Sequence, residues 1–235
     1  MNNIIEKLRS ILKASSDENV RISGERFFRE EVRLYGIKSA MVEQIGKEHY
    51  SLIKGLPKKE IFDLCGELWR SGMMEESFIA CHWSYYVRKE YEPEDFIWFD
   101  RWVKNHVTNW ASCDTLCNHS VGTLVEMYPE LTDKLKEWAG SPNRWARRAA
   151  AVSLIIPARK GKFREEIFQI ADILLTDSDD MVRKGYGWML KAASQAGQDE
   201  VFSYVMRNKS VMPRTSLRYA IEKMTPELKK KAMAK

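Results

Sequence analysis

Two indoles, a carboxylate and a guanidinium recur at intervals that a repeat protein could bring to one surface: Trp110, Asp114, Arg148 and Trp188. Each suits one part of a nucleotide. Indole faces can pack on bases or deoxyribose, the arginine fork holds phosphate, and a carboxylate can stabilise positive charge developing on a sugar. Together they form a coherent set for cleaving a glycosidic bond in DNA. Asp114 lies one helical turn after Trp110, at the edge of the apolar stripe Val107, Trp110, Cys113, Cys117, Val121, Leu124 and Tyr128. A buried carboxylate is costly without partners, so two readings stand: Asp114 ties down a neighbouring helix end, or it faces a cleft. Arg148 sits in the cluster Arg144, Arg147, Arg148, which fits either a phosphate site or a solvated basic face. In Gly185-Tyr-Gly187-Trp188, glycines that cost helix stability imply a close approach, by a neighbouring helix or by a ligand.

The elements that must position these residues are helices. Prolines at 57, 93 and 129 are spaced by 36 and again by 36 residues, and acidic residues follow each. Proline then acid is what a first helical turn favours, because the missing N–H costs nothing there and carboxylates meet the positive end of the dipole. The spacing predicts helices over 73–89, 107–128, 143–156 and 181–196. Trp145-Ala-Arg147-Arg148 aligns with Met181-Val-Arg183-Lys184 when shifted by 36 residues. A two-helix repeat of this length points to an all-α, superhelical solenoid of HEAT-like helix pairs. We expect one domain over 1–235, with capping helices over 1–47, repeats over 48–224 and a short tail helix over 225–235. Within it, residues one repeat apart on inner helices stack; Trp110, Arg148 and Trp188 are separated by 38 and 40 residues.

Charge bears on the partner. Residues 1–140 hold 19 Lys and Arg against 23 Asp and Glu, whereas residues 141–235 hold 19 against 10. That asymmetry fits a polyanion partner for the basic part or, equally on charge alone, a solvated basic surface with no partner. The longest apolar runs are too short to span a bilayer, and no signal-peptide pattern is present, so we expect a cytoplasmic protein that does not engage membranes. The four cysteines fit a reduced compartment. Cys113 and Cys117 share a helix face near His119, but no second pair at metal-ligand spacing follows. We expect neither a metal nor a cofactor, and a monomer.

Three pieces, in this order and spacing, resemble the AlkD-type DNA alkylation repair glycosylases: Asn109-Trp110-Ala-Ser-Cys-Asp114, Trp145-Ala-Arg-Arg148-Ala-Ala and Gly187-Trp188-Met-Leu-Lys191. Tyr35-Gly36-Ile37 and Leu68-Trp69 ahead of Glu75-Glu76 add to the likeness, which covers nearly the whole chain. The sequence departs from some members at Asn109 and Ala111. The resemblance implies excision of cationic alkylated purines, 3-methyladenine and 7-methylguanine, from duplex DNA without base flipping. It implies catalytic roles for Asp114, Trp110 and Trp188 and a backbone contact at Arg148, beside which we expect Arg147, Arg144, Lys191 and Lys184 to bind DNA. The competing expectations are a non-catalytic HEAT-like module for bent or branched DNA, and a protein-interaction scaffold.

Overall fold

A computed structural model describes residues 2–234; Met1 and Lys235, the ends of the expected cap and tail, lie outside the described residues. Contacts divide the chain into two units, Met1–Leu116 and Cys117–Lys235. Both are built from paired α-helices. Among the described residues no strand forms, and a single isolated bridge joins Arg33 to Met73.

In the first unit the helices are α1 (Asn2–Ala14), α2 (Glu18–Phe27), α3 (Ser39–Tyr50), α4 (Lys58–Arg70), α5 (Met74–Tyr86), α6 (Phe96–Asn105) and α7 (Trp110–Leu116). Helices α3, α5 and α7 stand in one row, with α4 and α6 behind them in a second. Pro57 is the N-cap of α4, and Pro93 starts a 3-10 turn that runs into α6. Asp95, in that turn, accepts the Glu92 amide at 2.8 Å and the Lys58 ammonium at 2.8 Å. An aromatic cluster joins α4 to α6 within the second row: Phe62, Phe99 and Trp102 are buried, with ring centroids 5.6 to 5.8 Å apart.

The expected capping region is helical except for a turn at 15–17 and a non-helical segment over 28–38, where Arg33 bridges to Met73. The reason lies forty residues away. The Glu75 carboxylate, buried at the start of α5, accepts the backbone N–H groups of Tyr35 (3.1 Å), Gly36 (2.9 Å) and Ile37 (3.2 Å). Its neighbour Glu76 receives the Arg9 guanidinium and, at 2.7 Å, the Tyr35 hydroxyl. Gly36 is required here: its φ is +85°, and a Cβ would lie 2.4 Å from the Asp17 carbonyl.

In the second unit a π-turn (Cys117–Val121) leads into α8 (Gly122–Met127), followed by α9 (Thr132–Ala139), α10 (Arg144–Val152), α11 (Ile155–Arg159), α12 (Arg164–Ile173), α13 (Asp180–Ala193), α14 (Gln198–Asn208), α15 (Arg214–Ala220) and α16 (Pro226–Met233). Helices α10, α13 and α15 form one row and α9, α12 and α14 the other, each pair stacked on the next as a solenoid requires. Asn143 and Asp179, equivalent by the repeat, both cap: each side chain accepts the amide two residues on, at 2.8 Å.

Two expected helices are interrupted. The 107–128 helix begins only at Trp110, because the Asn109 side chain accepts the Ser112 amide at 2.9 Å and so acts as the cap. The 143–156 helix stops at Val152 and restarts at Ile155. Pro157 has no N–H for the Ser153 carbonyl, and its ring opposes that oxygen. The freed carbonyl lies against the second unit's own Gly122, where a Cβ would come within 2.6 Å.

Candidate functional site

In the first unit, Trp110 opens α7, with its entry fixed by the buried Asn109 cap. Its ring is half-buried and stacks on Phe28, with centroids 5.5 Å apart and planes 27° apart. Phe27 leans on the same indole at 5.8 Å and meets Phe28 edge-on at 5.7 Å. Phe27 nevertheless remains 71% exposed, so a large aromatic surface is held open to solvent beside Trp110. Asp114, one turn further along α7, is 9% exposed. The helix therefore presents a nearly buried carboxylate on the same side as an aromatic platform.

Sequence reasoning missed Phe27 and Phe28. Their signal was an aromatic pair flanked on both sides by charged residues, in Arg26-Phe-Phe-Arg29-Glu-Glu. Burial pushes the thiols of Cys65 and Cys81 well above the ordinary range, which makes them poor nucleophiles. Cys113 and Cys117 are likewise buried, and among the described residues no three potential metal ligands converge.

In the second unit, α13 turns one half-open face outward, formed by Met181, Lys184, Trp188 and Lys191 at helical spacing. Trp188 thus stands between two lysines. Lys184 pairs with Asp180 at 2.7 Å, and Lys191 pairs with Glu222 at 3.0 Å while lying 5.4 Å over the Tyr219 ring. The two glycines of the Gly-Tyr-Gly-Trp run answer to neighbouring helices. A Cβ on Gly185 would lie 3.3 Å from Arg148 Cγ, and one on Gly187 would lie 2.7 Å from Tyr219 Cβ.

The arginine cluster on α10 is engaged within the unit. Arg148 is 5% exposed and donates to the Met181 carbonyl at 2.5 Å. Arg147 binds Asp177 through Nε at 2.6 Å and gives Nη1 to the carbonyls of Ser141 and Pro142. Arg144 Nε lies 2.9 Å from Asp179, and its guanidinium sits 4.7 Å over Trp145. These contacts join successive helix pairs of the repeat. Trp110 and Asp114 are thus assembled on α7, and Trp188, Lys184 and Lys191 on one face of α13.

The profile of the family described as DNA alkylation repair enzyme matches residues 8–224. Among solved structures, the fold is similar to that of a predicted DNA alkylation repair enzyme from Enterococcus faecalis. The TM-score is 0.81 and the identity 14%, over 90% of this chain and 98% of that one. At that identity the likeness concerns the fold. No curated protein matches the chain.

Proposed function

The chain belongs to the DNA alkylation repair enzyme family, and from that premise we propose that it is a monofunctional DNA glycosylase releasing 3-methyladenine and 7-methylguanine from duplex DNA. The observation that carries this reading is Asp114, a carboxylate 9% exposed, one turn from an indole whose other neighbours are Phe28 and the exposed Phe27.

A purine alkylated at N3 or N7 already carries positive charge, so it needs no protonation to leave. The C1′–N bond breaks with its electron pair going to the base, which departs neutral and leaves a cationic sugar. An ionised carboxylate held out of bulk water stabilises that sugar more strongly than it could in solvent. It also accepts a hydrogen bond from the water that adds to C1′, and the surplus proton passes to solvent. Trp110 supplies an apolar face beside that carboxylate; in the second unit Trp188 offers a further apolar face to DNA, and Arg148, Arg147, Arg144, Lys184 and Lys191 supply positive potential for the phosphates.

In this mechanism the base need not enter a pocket, which departs from the usual extrusion of the nucleotide. The test is base release from duplex DNA bearing either a methyl group or a bulky substituent at N3. Release of both supports the reading. Release of the methylated base alone would mean that a tight base pocket exists, and release of neither would refute the glycosylase assignment.

A further inference from the structure

Over residues 117–206 most cations are already matched to acids of the same unit, as Arg147 is to Asp177 and Lys160 and Lys162 are to Glu126. Residues 207–223 break that pattern, with five Lys or Arg and the single acid Glu222, which Lys191 holds. Helix α15 carries Arg214 and Arg218 one turn apart on its exposed side, while Ser216, Leu217 and Ala220 are buried behind them. Among the described residues neither arginine has an acidic partner, nor does the exposed Lys223 just beyond the helix.

We propose that Arg214 and Arg218 of α15 form the phosphate grip of the second unit, holding the backbone of duplex DNA alongside the Trp188 face of α13. Two facts of the structure and one of side-chain geometry support the placement. Gly187 lets α13 and α15 lie so close that a Cβ would come 2.7 Å from Tyr219 Cβ and 3.0 Å from the Ser216 carbonyl. Lys191 of α13 reaches Glu222 at 3.0 Å and lies over Tyr219, so the open faces of the two helices adjoin. Finally, guanidinium groups at i and i+4 have Cβ atoms about 5–6 Å apart, and their planar forks suit phosphate oxygens. The paired cations must first give up a carboxylate to do the same work. Arg214 and Arg218 lose only water.

This proposal rests on the reading that the chain works on duplex DNA, but its test does not depend on base release. The affinity of the full chain for undamaged duplex is measured from 50 to 200 mM salt, for the wild type and for the double variant Arg214→Ala/Arg218→Ala. A control double variant, Lys162→Ala/Arg164→Ala, removes the same charge from cations that pair with Glu126 and Glu200. Each phosphate contact contributes about 0.9 to the slope of log affinity against log salt, so losing two should flatten the slope by about 1.8. Over that salt range the wild type should then lose about 12-fold more affinity than the α15 variant. The control should keep the wild-type slope. An unchanged slope in the α15 variant, an equal flattening in the control, or a wild type whose affinity ignores salt would each overturn the proposal. Wild-type binding that is steeply salt-dependent, without base release, would refute the glycosylase reading and leave the grip standing.

Discussion

Replacing Glu75 should unfasten the non-helical segment over 28–38 of the first unit, and the cost can be worked from its contacts. One carboxylate oxygen accepts the buried amides of Gly36 and Ile37, at 2.9 and 3.2 Å, and the other accepts the half-buried amide of Tyr35 at 3.1 Å. Leaving a buried donor unsatisfied costs about 1–3 kcal/mol. Glu75→Ala strands two such donors fully and a third in part, so it should cost about 3–5 kcal/mol. Glu75→Gln keeps one carbonyl oxygen but turns an NH2 toward at least one amide, and should cost about 1–2 kcal/mol. Urea unfolding followed by circular dichroism gives both values. Hydrogen exchange locates them: protection should fall first at Gly36 and Ile37 and much less in the α10 and α13 helices. An Ala variant within about 0.5 kcal/mol of wild type, or protection at Gly36 and Ile37 equal to wild type, would show that the carboxylate does not hold this segment.

Gly187→Ala should destabilise the protein by about 1–2 kcal/mol despite alanine's better helix propensity, because the new methyl meets Tyr219 Cβ at 2.7 Å; a melting temperature at or above wild type would contradict that packing. Phe28→Ala removes the ring stacked on Trp110, a contact worth about 0.5–1.5 kcal/mol. Base release should slow by a few-fold to about tenfold with secondary structure unchanged, and an undiminished rate would remove the aromatic platform from the mechanism. Glu126 is partly desolvated, which raises its pKa, but hydrogen bonds from Lys160 and Lys162 outweigh this and hold it below the ordinary glutamate range. A depressed carboxylate pKa contributes stability that is present above the unfolded value and lost as pH falls through the folded one. Glu126→Gln should therefore be less stable than wild type at pH 7 and converge with it in acid, below the depressed pKa; urea midpoints that differ equally at both pH values would contradict the pairing.

What was legible in the sequence was periodic or local. Pro57, Pro93 and Pro129 mark turns that open helices because ring geometry and a missing N–H act within one turn, and the Trp145–Met181 register placed α10 and α13 as equivalents. What was illegible depends on partners far along the chain. Nothing local to residues 28–38 distinguishes a capping helix from a non-helical strap; the determinant is Glu75, and the likeness at Tyr35-Gly36-Ile37 and Glu75-Glu76 acquires its physical meaning only from that contact. The restart after Ser153 was foreshadowed by Pro157, whose effect falls four residues upstream of itself. The arginines of α10 show as a basic cluster in the sequence, whereas their acids, Asp177 and Asp179, lie a repeat further on. Type and spacing marked Trp110 and Asp114, but Phe28 reached Trp110 only through the fold.

The most direct test of the central claim compares base release from methylated duplex DNA by the wild type and by Asp114→Asn, with DNA affinity and circular dichroism measured on both. The account predicts release of 3-methyladenine or 7-methylguanine by the wild type, and loss of most of that activity in a variant that still folds and binds. Release by the variant at the wild-type rate would contradict it. So would tight, salt-sensitive binding by both proteins without release by either, which would make the chain a module that binds DNA without cutting it.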